Sequence, residues 1–376
     1  MHYTLHLTNN CNMACDYCYV NNSEICTISF DTAKKAVDLI CMKNEENAGS
    51  SGIIFFGGEP LIEKDLIHDT VDYCRRKGKE TGRLFHFKIT TNGLLLDEQF
   101  MKYANDNGIL VALSHDGIRE AHNMHRKDKS GEGTFDSLSA KIDMVLSYQP
   151  YAPVLMVVNP DTVEFYAESV MYLYEKGFKY IICSLNYAGK WNEETLGILE
   201  KQYQELAEFY YEKTLLEDKF YLSPFEVKIS SHINRESYCR ERCELGKKQV
   251  SVGPDGKLYP CVQFVGDENY SIGNVDDGLD ENRRNMIYRM NEKEKAECAD
   301  CAVKDRCNHH CGCLNKQATG YINRVSPVLC AHERILLPIA DSLAERLFKK
   351  RSALFIQKHY NDMYPLVSLI EDKLKL

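Results

Sequence analysis

Short apolar runs alternate with longer amphipathic stretches along the first 215 residues of the chain. The runs are rich in β-branched or aromatic residues and end in turn-forming residues, which is typical of strands. The stretches between them repeat apolar positions at helical spacing. The pattern therefore predicts strands over residues 3–7, 53–56, 86–90, 110–114, 153–158 and 180–184, and helices over 31–43, 63–77, 97–107, 135–147, 163–176 and 193–219.

The alternation of strands and helices predicts the α/β class. Strands that are joined by crossover helices pair in parallel, through right-handed connections. Six βα repeats are fewer than the eight of a closed barrel, so the pattern fits either an open doubly wound sheet or a partial barrel. Both folds bind ligands at the carboxyl ends of their strands, so candidate chemistry is expected there.

The pattern changes after the first 215 residues and predicts three further segments. Residues 216–237 are interpreted as a linker, and residues 238–335 are rich in cysteines and turns, with few long periodic stretches. In such a region bound metal replaces much of the hydrophobic core. Residues 336–376 are predicted as a C-terminal helical segment that packs on the body; an apolar stripe leads into it through Ile335, Leu336, Ile339, Leu343 and Leu347.

Composition narrows the classes of partner. The formal net charge of −9 argues against a nucleic-acid-binding protein, which needs a concentrated basic surface. No run approaches 18 apolar residues, and the first residues read as a strand rather than a signal peptide, so we predict a cytoplasmic protein without a membrane partner. In that reducing compartment the 16 cysteines indicate metal binding rather than disulfides.

A cysteine triplet follows the first predicted strand. Cys11, Cys15 and Cys18 have the spacing C-x3-C-x2-C, which lets one loop bring three thiolates around one side of a metal cluster. A cubane cluster normally takes four cysteines, so three imply that a substrate or cofactor completes the coordination. The alternative, a structural zinc ion, requires four closed ligands.

A second set of cysteines lies in the C-terminal half. It consists of eight residues: Cys239, Cys243, Cys261, Cys298, Cys301, Cys307, Cys311 and Cys330. Eight thiolates suit two four-cysteine clusters, and two structural zinc ions are the alternative.

For the remaining cysteines, Cys26, Cys41, Cys74, Cys183 and Cys313, we predict buried packing, although Cys26 and Cys313 lie near the ligand sets.

The triplet and its flanks, TNNCNMACDYCYV with the aromatic Tyr17, resemble the radical S-adenosylmethionine superfamily. The resemblance implies a partial (β/α)6 TIM-like barrel, a 4Fe-4S cluster on the three cysteines, and S-adenosylmethionine bound to the open iron. In that family the reduced cluster splits the sulfonium group and gives a 5'-deoxyadenosyl radical, which removes a hydrogen atom from the substrate.

Polar residues follow the next predicted strands, where such a cofactor would bind. The family uses its GGEP turn for the ammonium group, which points to Glu59. Arg126, or Arg119 in its place, could pair with the methionyl carboxylate. Together with Tyr17, the predicted S-adenosylmethionine contacts are Gly57, Gly58, Glu59, Pro60, Asn92, Ser114, Asp116 and Arg126.

The downstream cysteines resemble the SPASM domain, whose spacing they match from Cys243 to Cys330. The resemblance implies a small cysteine-rich α+β iron-sulfur domain with two auxiliary 4Fe-4S clusters, and so three clusters in all. The ligands implied are Cys239, Cys243, Cys261 and Cys311 for the first auxiliary cluster, and Cys298, Cys301, Cys307 and Cys330 for the second.

SPASM enzymes mostly modify peptides or proteins, and two reactions come into question. Anaerobic sulfatase maturases generate formylglycine and carry an Asp base directly after the G-x4-C cysteine, where this chain has Val262. Residues 258–275 look closer to enzymes that form thioether cross-links in cysteine-containing peptides. We therefore predict thioether formation, with formylglycine generation and a non-catalytic zinc scaffold as alternatives. No catalytic residue is assigned, although Asp116 or Asp255 could supply a base.

The resemblance also implies partners. They are a peptide or protein substrate and an electron donor such as flavodoxin or ferredoxin. Because the first strand is predicted to start at residue 3, no precursor-recognition domain is expected before it. A separate leader-recognition protein is therefore a further possible partner.

Overall fold

A computed structural model describes residues 2–20, 24–42, 49–234 and 244–374. Its main sheet has the strand order β7-β6-β5-β4-β3-β2-β1-β8-β9, and all neighbouring strands pair in parallel except β8 and β9. The strands of the first half are β1 His2–Thr8, β2 Ser50–Gly57, β3 Leu84–Thr91, β4 Ile109–Ser114, β5 Pro153–Val158 and β6 Tyr180–Leu185.

Helices cover one face of this sheet. Alternate strand residues such as Leu5, Phe55 and Ile89 are completely buried against the helices, while the other face, which carries His6 and Phe56, lines the barrel interior. The helices are α1 Phe30–Met42, α2 Lys64–Thr81, α3 Glu98–Asp106, α4 Arg119–His125, α5 Phe135–Tyr148, α6 Tyr166–Glu175 and α7 Glu193–Leu215.

The predicted α/β fold and partial barrel are confirmed. All six predicted strands are present, and the parallel crossovers follow from the helices between them. The two ends of the strand order, β7 and β9, do not pair, so the barrel is not closed within the described residues. The helix predicted over 163–176 begins with a separate 3-10 turn, Val163–Phe165.

Three short strands extend the sheet beyond the six predicted. They are β7 Tyr221–Leu222, β8 Gln249–Val252 and β9 Leu258–Tyr259. Strand β8 pairs in parallel with β1, so the cysteine-rich region is hydrogen-bonded to the barrel. Two to four residues are too few to give a periodic signal, which is why the sequence did not indicate these strands. The region also contains the hairpin of β10 Gly273–Asn274 and β11 Gly278–Leu279.

The segment interpreted as a linker, residues 216–237, contains regular structure. Strand β7 is followed at once by α8, Ser223–Asn234, and only residues 235–237 lie outside the described part. Helix α8 packs on α11 through a buried ion pair, Lys228 Nζ to Glu333 Oε2 at 2.6 Å. The interpretation as a linker is therefore wrong over residues 221–234, because this segment is part of the core.

The C-terminal segment contains three helices rather than one. Helix α11, Pro327–Lys350, starts before the predicted boundary because Ser326 caps it and Pro327 occupies its first turn. It ends at Arg351, which has a positive φ of 55°, and Ser352 caps the next helix. The apolar stripe is largely buried, as expected. The other helices are α9 Glu281–Glu292, α10 Gly312–Thr319, α12 Ala353–Tyr360 and α13 Tyr364–Leu374.

Among the described residues, no helix combines the length and the apolar character that crossing a membrane requires.

We predict that Lys228→Met lowers the free energy of unfolding by about 3–5 kcal/mol, because it leaves the Glu333 carboxylate buried without its cation. Urea unfolding of variant and parent measures the change. Arg346→Ala is the matched control: its pair with Glu208 is exposed and is worth about 0–1 kcal/mol. Equal small losses in both variants would contradict a core role for α8.

Candidate active site

The cysteine triplet lies in the loop that directly follows β1. Cys11 and Cys15 are half-buried and Cys18 is exposed, and none forms a disulfide. The Met13 amide donates to Cys11 Sγ at 3.4 Å, and the Cys18 amide donates to the Cys15 carbonyl at 3.2 Å. One loop thus presents three free thiols, one of them already held by an amide hydrogen bond of the kind that stabilises ligating sulfur.

The GGEP turn docks on this loop. The Gly58 amide donates to the Thr8 carbonyl at 2.7 Å, and the Glu59 amide donates to the Asn10 carbonyl at 2.8 Å. A Cβ atom at Gly57 would lie 2.2 Å from Thr8 O, and one at Gly58 would lie 2.2 Å from Asn10 O. The glycines are therefore required by contact with the cysteine loop, and a contact of Gly57 or Gly58 with the cofactor stays a prediction.

The Glu59 carboxylate is completely buried. It accepts hydrogen bonds from the Leu61 amide, the Thr91 hydroxyl and the Asn92 amide at 2.7–3.0 Å. Burial raises its pKa to about 7, and these hydrogen bonds oppose the rise. Glu59 thus joins the turn after β2 to the end of β3. A contact with the cofactor ammonium stays a prediction.

Asn92, at the end of β3, reaches the cysteine loop from the opposite side. Its side-chain amide donates to Asn12 Oδ1 at 2.8 Å and contacts Cys11 Sγ at 3.6 Å. Pro60 starts the 3-10 turn Pro60–Glu63, and Ser114 is half-buried at the end of β4. Asn92 thus contacts the loop directly, and contacts of Asn92, Pro60 and Ser114 with the cofactor stay predictions.

Asp116 and Arg126 form the centre of the site. Arg126 Nε lies 2.9 Å from Asp116 Oδ2, and Arg126 Nη2 donates to Asp116 Oδ1 at 3.1 Å; both side chains are buried. Asp116 also accepts from the Tyr17 hydroxyl at 2.7 Å and from the Val157 amide at 3.0 Å. One carboxylate therefore ties together β5, the end of α4 and the cysteine loop.

The roles expected for these residues change accordingly. The Arg126 guanidinium is already paired, so its first function is to neutralise the buried Asp116, and a contact with the methionyl carboxylate stays a prediction. Tyr17 contacts Asp116 with its hydroxyl and the Arg126 guanidinium with its ring, 5.6 Å from the ring centre. Asp116 is buried and fully engaged, which makes it unsuitable as a mobile proton acceptor.

A polar relay that the sequence did not indicate supports this pair. The Asp116 amide donates to His122 Nδ1 at 3.3 Å, His122 Nε2 contacts Thr134 Oγ1 at 3.0 Å, and that hydroxyl donates to the Arg126 carbonyl at 3.0 Å. The network assigns the Nε2–H tautomer of a neutral imidazole. Burial, and secondarily the Arg126 charge, lowers the pKa of His122 to about 2.

A second histidine holds the cysteine loop from outside. His125 is buried and lies between two carboxylates: Nδ1 is 2.9 Å from Asp16 Oδ1, and Nε2 is 3.0 Å from Asp161 Oδ1. Asp16 stands between two cysteines of the triplet, whereas Asp161 follows β5. Nothing in the sequence distinguishes His125, because a histidine in a short helix after a strand is a common feature.

The half-buried thiols of Cys11 and Cys15 need a positive partner in order to ionise. Burial raises the pKa of Cys15 to about 11, although the Arg126 charge opposes the rise, and burial also raises the pKa of Cys11. Iron supplies the charge that stabilises buried thiolates. The donor set therefore fits a metal cluster.

The downstream cysteines gather in two groups. Cys261 and Cys311 both contact Cys313, whose Sγ is 3.3 Å from Cys311 Sγ. Burial raises the pKa of Cys330, and the nearby thiols of Cys298 and Cys301 raise it further. Burial also raises the pKa of Cys307, and the nearby Cys330 adds to that rise. Cys239 and Cys243 lie outside the described residues, and the two ligand sets implied by resemblance stay predictions.

Within the described ranges, no three His, Cys, Asp or Glu side chains are arranged to hold one metal ion.

Two cavities flank these elements. The smaller, of about 240 Å³, lies between the two cysteine sets: Tyr19 and Val20 line it beside the triplet, and Val262 and Asp255 line it beside Cys261. The larger, of about 800 Å³, lies at the amino ends of β4–β6 under α13 and contains none of the predicted site residues. The smaller one is the candidate substrate cavity because it adjoins both cysteine sets.

Comparison with known protein families agrees with the two-part architecture. The model of the Radical SAM superfamily matches residues 5–200, more than half of the chain. The model of SPASM, an iron-sulfur cluster-binding domain, matches residues 243–302.

Individual relatives are distant but cover most of the chain. A cysteine-type anaerobic sulfatase-maturating enzyme of Clostridium perfringens is 26% identical, over 81% of this chain and 86% of the relative. The antilisterial bacteriocin subtilosin biosynthesis protein AlbA of Bacillus subtilis is 22% identical, over 83% of this chain and 66% of its own.

Solved structures share the fold. Native anSMEcpe with bound AdoMet and Cp18Cys peptide superposes with a TM-score of 0.78, at 22% identity, over 93% of this chain and 98% of that one. Streptococcus suis SuiB bound to its precursor peptide SuiA gives a TM-score of 0.58 at 13% identity, over 88% and 75% of the two chains.

We predict that Arg126→Met lowers the free energy of unfolding by about 3–5 kcal/mol, because the Asp116 carboxylate stays buried without its cation. The matched control is Arg119→Met, whose partner Asp136 is exposed, and it is expected to cost about 0–1 kcal/mol. Urea unfolding of both variants measures the difference. A cost for Arg126→Met no larger than that of the control would refute the central role of the pair.

Stability is expected to fall as the pH drops below about 6.5, the ordinary pKa of histidine. The unfolded chain binds a proton at His122 in that range while the folded chain, with a His122 pKa of about 2, does not. Each such group costs about 1.4 kcal/mol per pH unit. Unfolding of His122→Gln between pH 4 and 6 is expected to show a slope smaller by about that amount; an unchanged slope would contradict the neutral imidazole.

Proposed function

The chain belongs to the radical SAM superfamily, and on this premise we propose that it oxidatively modifies a cysteine-containing peptide, most specifically by forming a thioether. It would hold three 4Fe-4S clusters and S-adenosylmethionine. When bound, these groups supply hydrogen-atom abstraction from a substrate carbon and accept the electron that bond formation releases. Support for a peptide substrate comes from relatives whose printed names and ligands involve peptides, among them anSMEcpe and SuiB.

The observation that favours thioether formation over formylglycine generation is the identity of residue 262. Sulfatase maturases place a carboxylate there, whereas Val262 presents an apolar side chain to the candidate substrate cavity. A valine cannot accept a proton, so any base must come from another wall of that cavity. Asp116 is buried and already paired with Arg126, which leaves Asp255 as the better placed of the two candidates from the sequence.

Asp255 lies in the wall of the same cavity as Val262. Its side chain is 41% exposed, and its Oδ2 lies 3.8 Å from Lys257 Nζ. The Lys257 amide and the Tyr259 hydroxyl donate to its two oxygens at 3.1 and 3.3 Å, which orients the carboxylate. Joining a thiol to a carbon radical releases one proton and one electron, and we assign the proton to Asp255.

The remaining features of the proposal follow from the family. The auxiliary ligands would be Cys239, Cys243, Cys261 and Cys311 for the first cluster and Cys298, Cys301, Cys307 and Cys330 for the second. A flavodoxin or ferredoxin would reduce the cluster on Cys11, Cys15 and Cys18, and a separate protein could present the leader of the precursor peptide. Formylglycine generation is the second candidate, favoured by the identity to the Clostridium perfringens enzyme.

The experiment that tests the proposal is anaerobic reconstitution, followed by incubation with S-adenosylmethionine, dithionite and a cysteine-containing precursor peptide encoded beside the gene. A product that is lighter by two hydrogens and has one fewer alkylatable cysteine supports a thioether. An aldehyde that reacts with hydrazine identifies formylglycine instead. Three cubanes predict about twelve irons per chain; zinc without iron would establish the scaffold alternative.

We predict that Asp255→Asn lowers the rate of peptide modification by about 10²-fold or more, the usual contribution of a general base. Cleavage of S-adenosylmethionine to 5'-deoxyadenosine should continue, because Asp255 is not part of the Asp116–Arg126 pair that contacts the cysteine loop. Parallel assays of both products measure the separation. Asp277→Asn, an exposed change in the same domain, is the control; equal modification rates in the two variants would remove Asp255 from the reaction.

A further inference from the structure

His6 is a buried histidine of β1 that carries an unpartnered nitrogen. It lies on the face of the strand that lines the barrel interior, and it is 3% exposed. Its ring packs against Phe56 of β2, with the ring centroids 5.2 Å apart. Its Nε2 atom is buried and has no hydrogen-bond partner among the described residues. A polar atom left in this state costs stability, so it requires an explanation.

The position of His6 supplies that explanation, because the residue lines the candidate substrate cavity. His68 and His115 also have a buried Nε2 atom without a partner. Neither of them lines either of the two cavities described above. His6 therefore combines an unsatisfied polar atom with a place beside the space that a substrate would occupy.

The chemistry of the cavity wall indicates which kind of group His6 would bind. Burial lowers the pKa of His6 to about 3, so at neutral pH its imidazole is uncharged and carries one N–H and one lone pair. The wall contains the carboxylates of Glu24 and Asp255, and no lysine or arginine is among the described residues that line it. An anionic group is disfavoured beside two carboxylates. The complementary partner is a neutral polar group, and a peptide amide is the one that every residue of a peptide substrate offers.

We propose that His6 is a substrate-binding residue, whose imidazole hydrogen-bonds the backbone amide of the cysteine that enters the cavity. The inference rests on the proposed function and extends it by naming a group that recognises the main chain of the peptide. An amide has both an acceptor C=O and a donor N–H, so it can satisfy Nε2 in either tautomer. The cavity of about 240 Å³ is smaller than the roughly 300–1,000 Å³ of pockets for drug-sized ligands, which suits a single residue of an extended peptide.

A binding role and a packing role predict different effects of an apolar substitution. His6→Leu removes a polar atom that has no partner in the free protein, so the folded state loses no hydrogen bond. The bound peptide, in contrast, loses its partner. A binding role therefore predicts weaker peptide binding at unchanged or higher stability, whereas a packing role predicts that only stability responds.

The test compares the parent, His6→Leu and His6→Gln as anaerobically reconstituted proteins with S-adenosylmethionine present. Fluorescence anisotropy measures binding of the labelled precursor peptide encoded beside the gene, and urea unfolding measures stability. His6→Leu should weaken peptide binding about 10-fold, the order of one buried hydrogen bond, without lowering the midpoint of unfolding. His6→Gln retains a donor and an acceptor and should recover part of the affinity. His68→Leu, which removes an unpartnered imidazole of α2 far from the cavity wall, should bind the peptide as the parent does.

A peptide with a backbone ester in place of the amide, placed at each cysteine in turn, tests whether the contact is direct. The ester lacks the N–H and is a weaker acceptor than the amide. At the cysteine that enters the cavity it should weaken binding to the parent, but it should add little to the loss already caused by His6→Leu. Such non-additivity is the signature of a direct contact.

Three results would overturn the inference. They are parent-like affinity in His6→Leu, a loss of affinity matched by a loss of stability, and ester effects of equal size in the parent and in His6→Leu. Failure of the proposed function is distinguishable, because the parent would then bind the peptide without forming a thioether. A parent that binds no peptide would overturn both.

Discussion

The buried ion pair of Asp116 and Arg126 is the constraint on which the rest of the site depends. Removing either partner leaves the other charge buried and unpaired, which lowers the free energy of unfolding by about 3–5 kcal/mol. Asp116 uses its remaining lone pairs on the Tyr17 hydroxyl and the Val157 amide. The Asp116 carboxylate therefore both fixes the cysteine loop to the strand ends and pairs with the buried Arg126. His122 and Thr134 add hydrogen bonds to the backbone of Asp116 and Arg126, respectively.

Strand β1 connects this loop to the second half of the chain. It pairs with β2 on one side and with β8 on the other, so the triplet that follows β1 and the cysteines that follow β8 are positioned by one sheet. The candidate substrate cavity lies where these two parts meet, with Tyr19 on one wall and Val262 on the other. A substrate bound there would lie beside both cysteine sets.

The sequence was sufficient for the elements that have a strong period, and the spacing of its cysteines predicts ligand sets that stay predictions. It was insufficient where tertiary contacts decide. Strands of two to four residues such as β7 and β8 have no period to detect, and α8 reads as a linker until Lys228 is seen to pair with Glu333. The glycines of the GGEP turn were recognised, but not the close approach to Thr8 and Asn10 that requires them.

The central claim, an open-sided cluster on Cys11, Cys15 and Cys18, is tested most directly by electron paramagnetic resonance of the reconstituted, dithionite-reduced protein. Addition of S-adenosylmethionine should change the spectrum of one cluster, because the cofactor binds its open iron. When the three cysteines are replaced by alanine, that response should vanish and the protein should lose about four irons per chain. A spectrum that does not respond to S-adenosylmethionine, or a response that survives the replacement, would contradict the account.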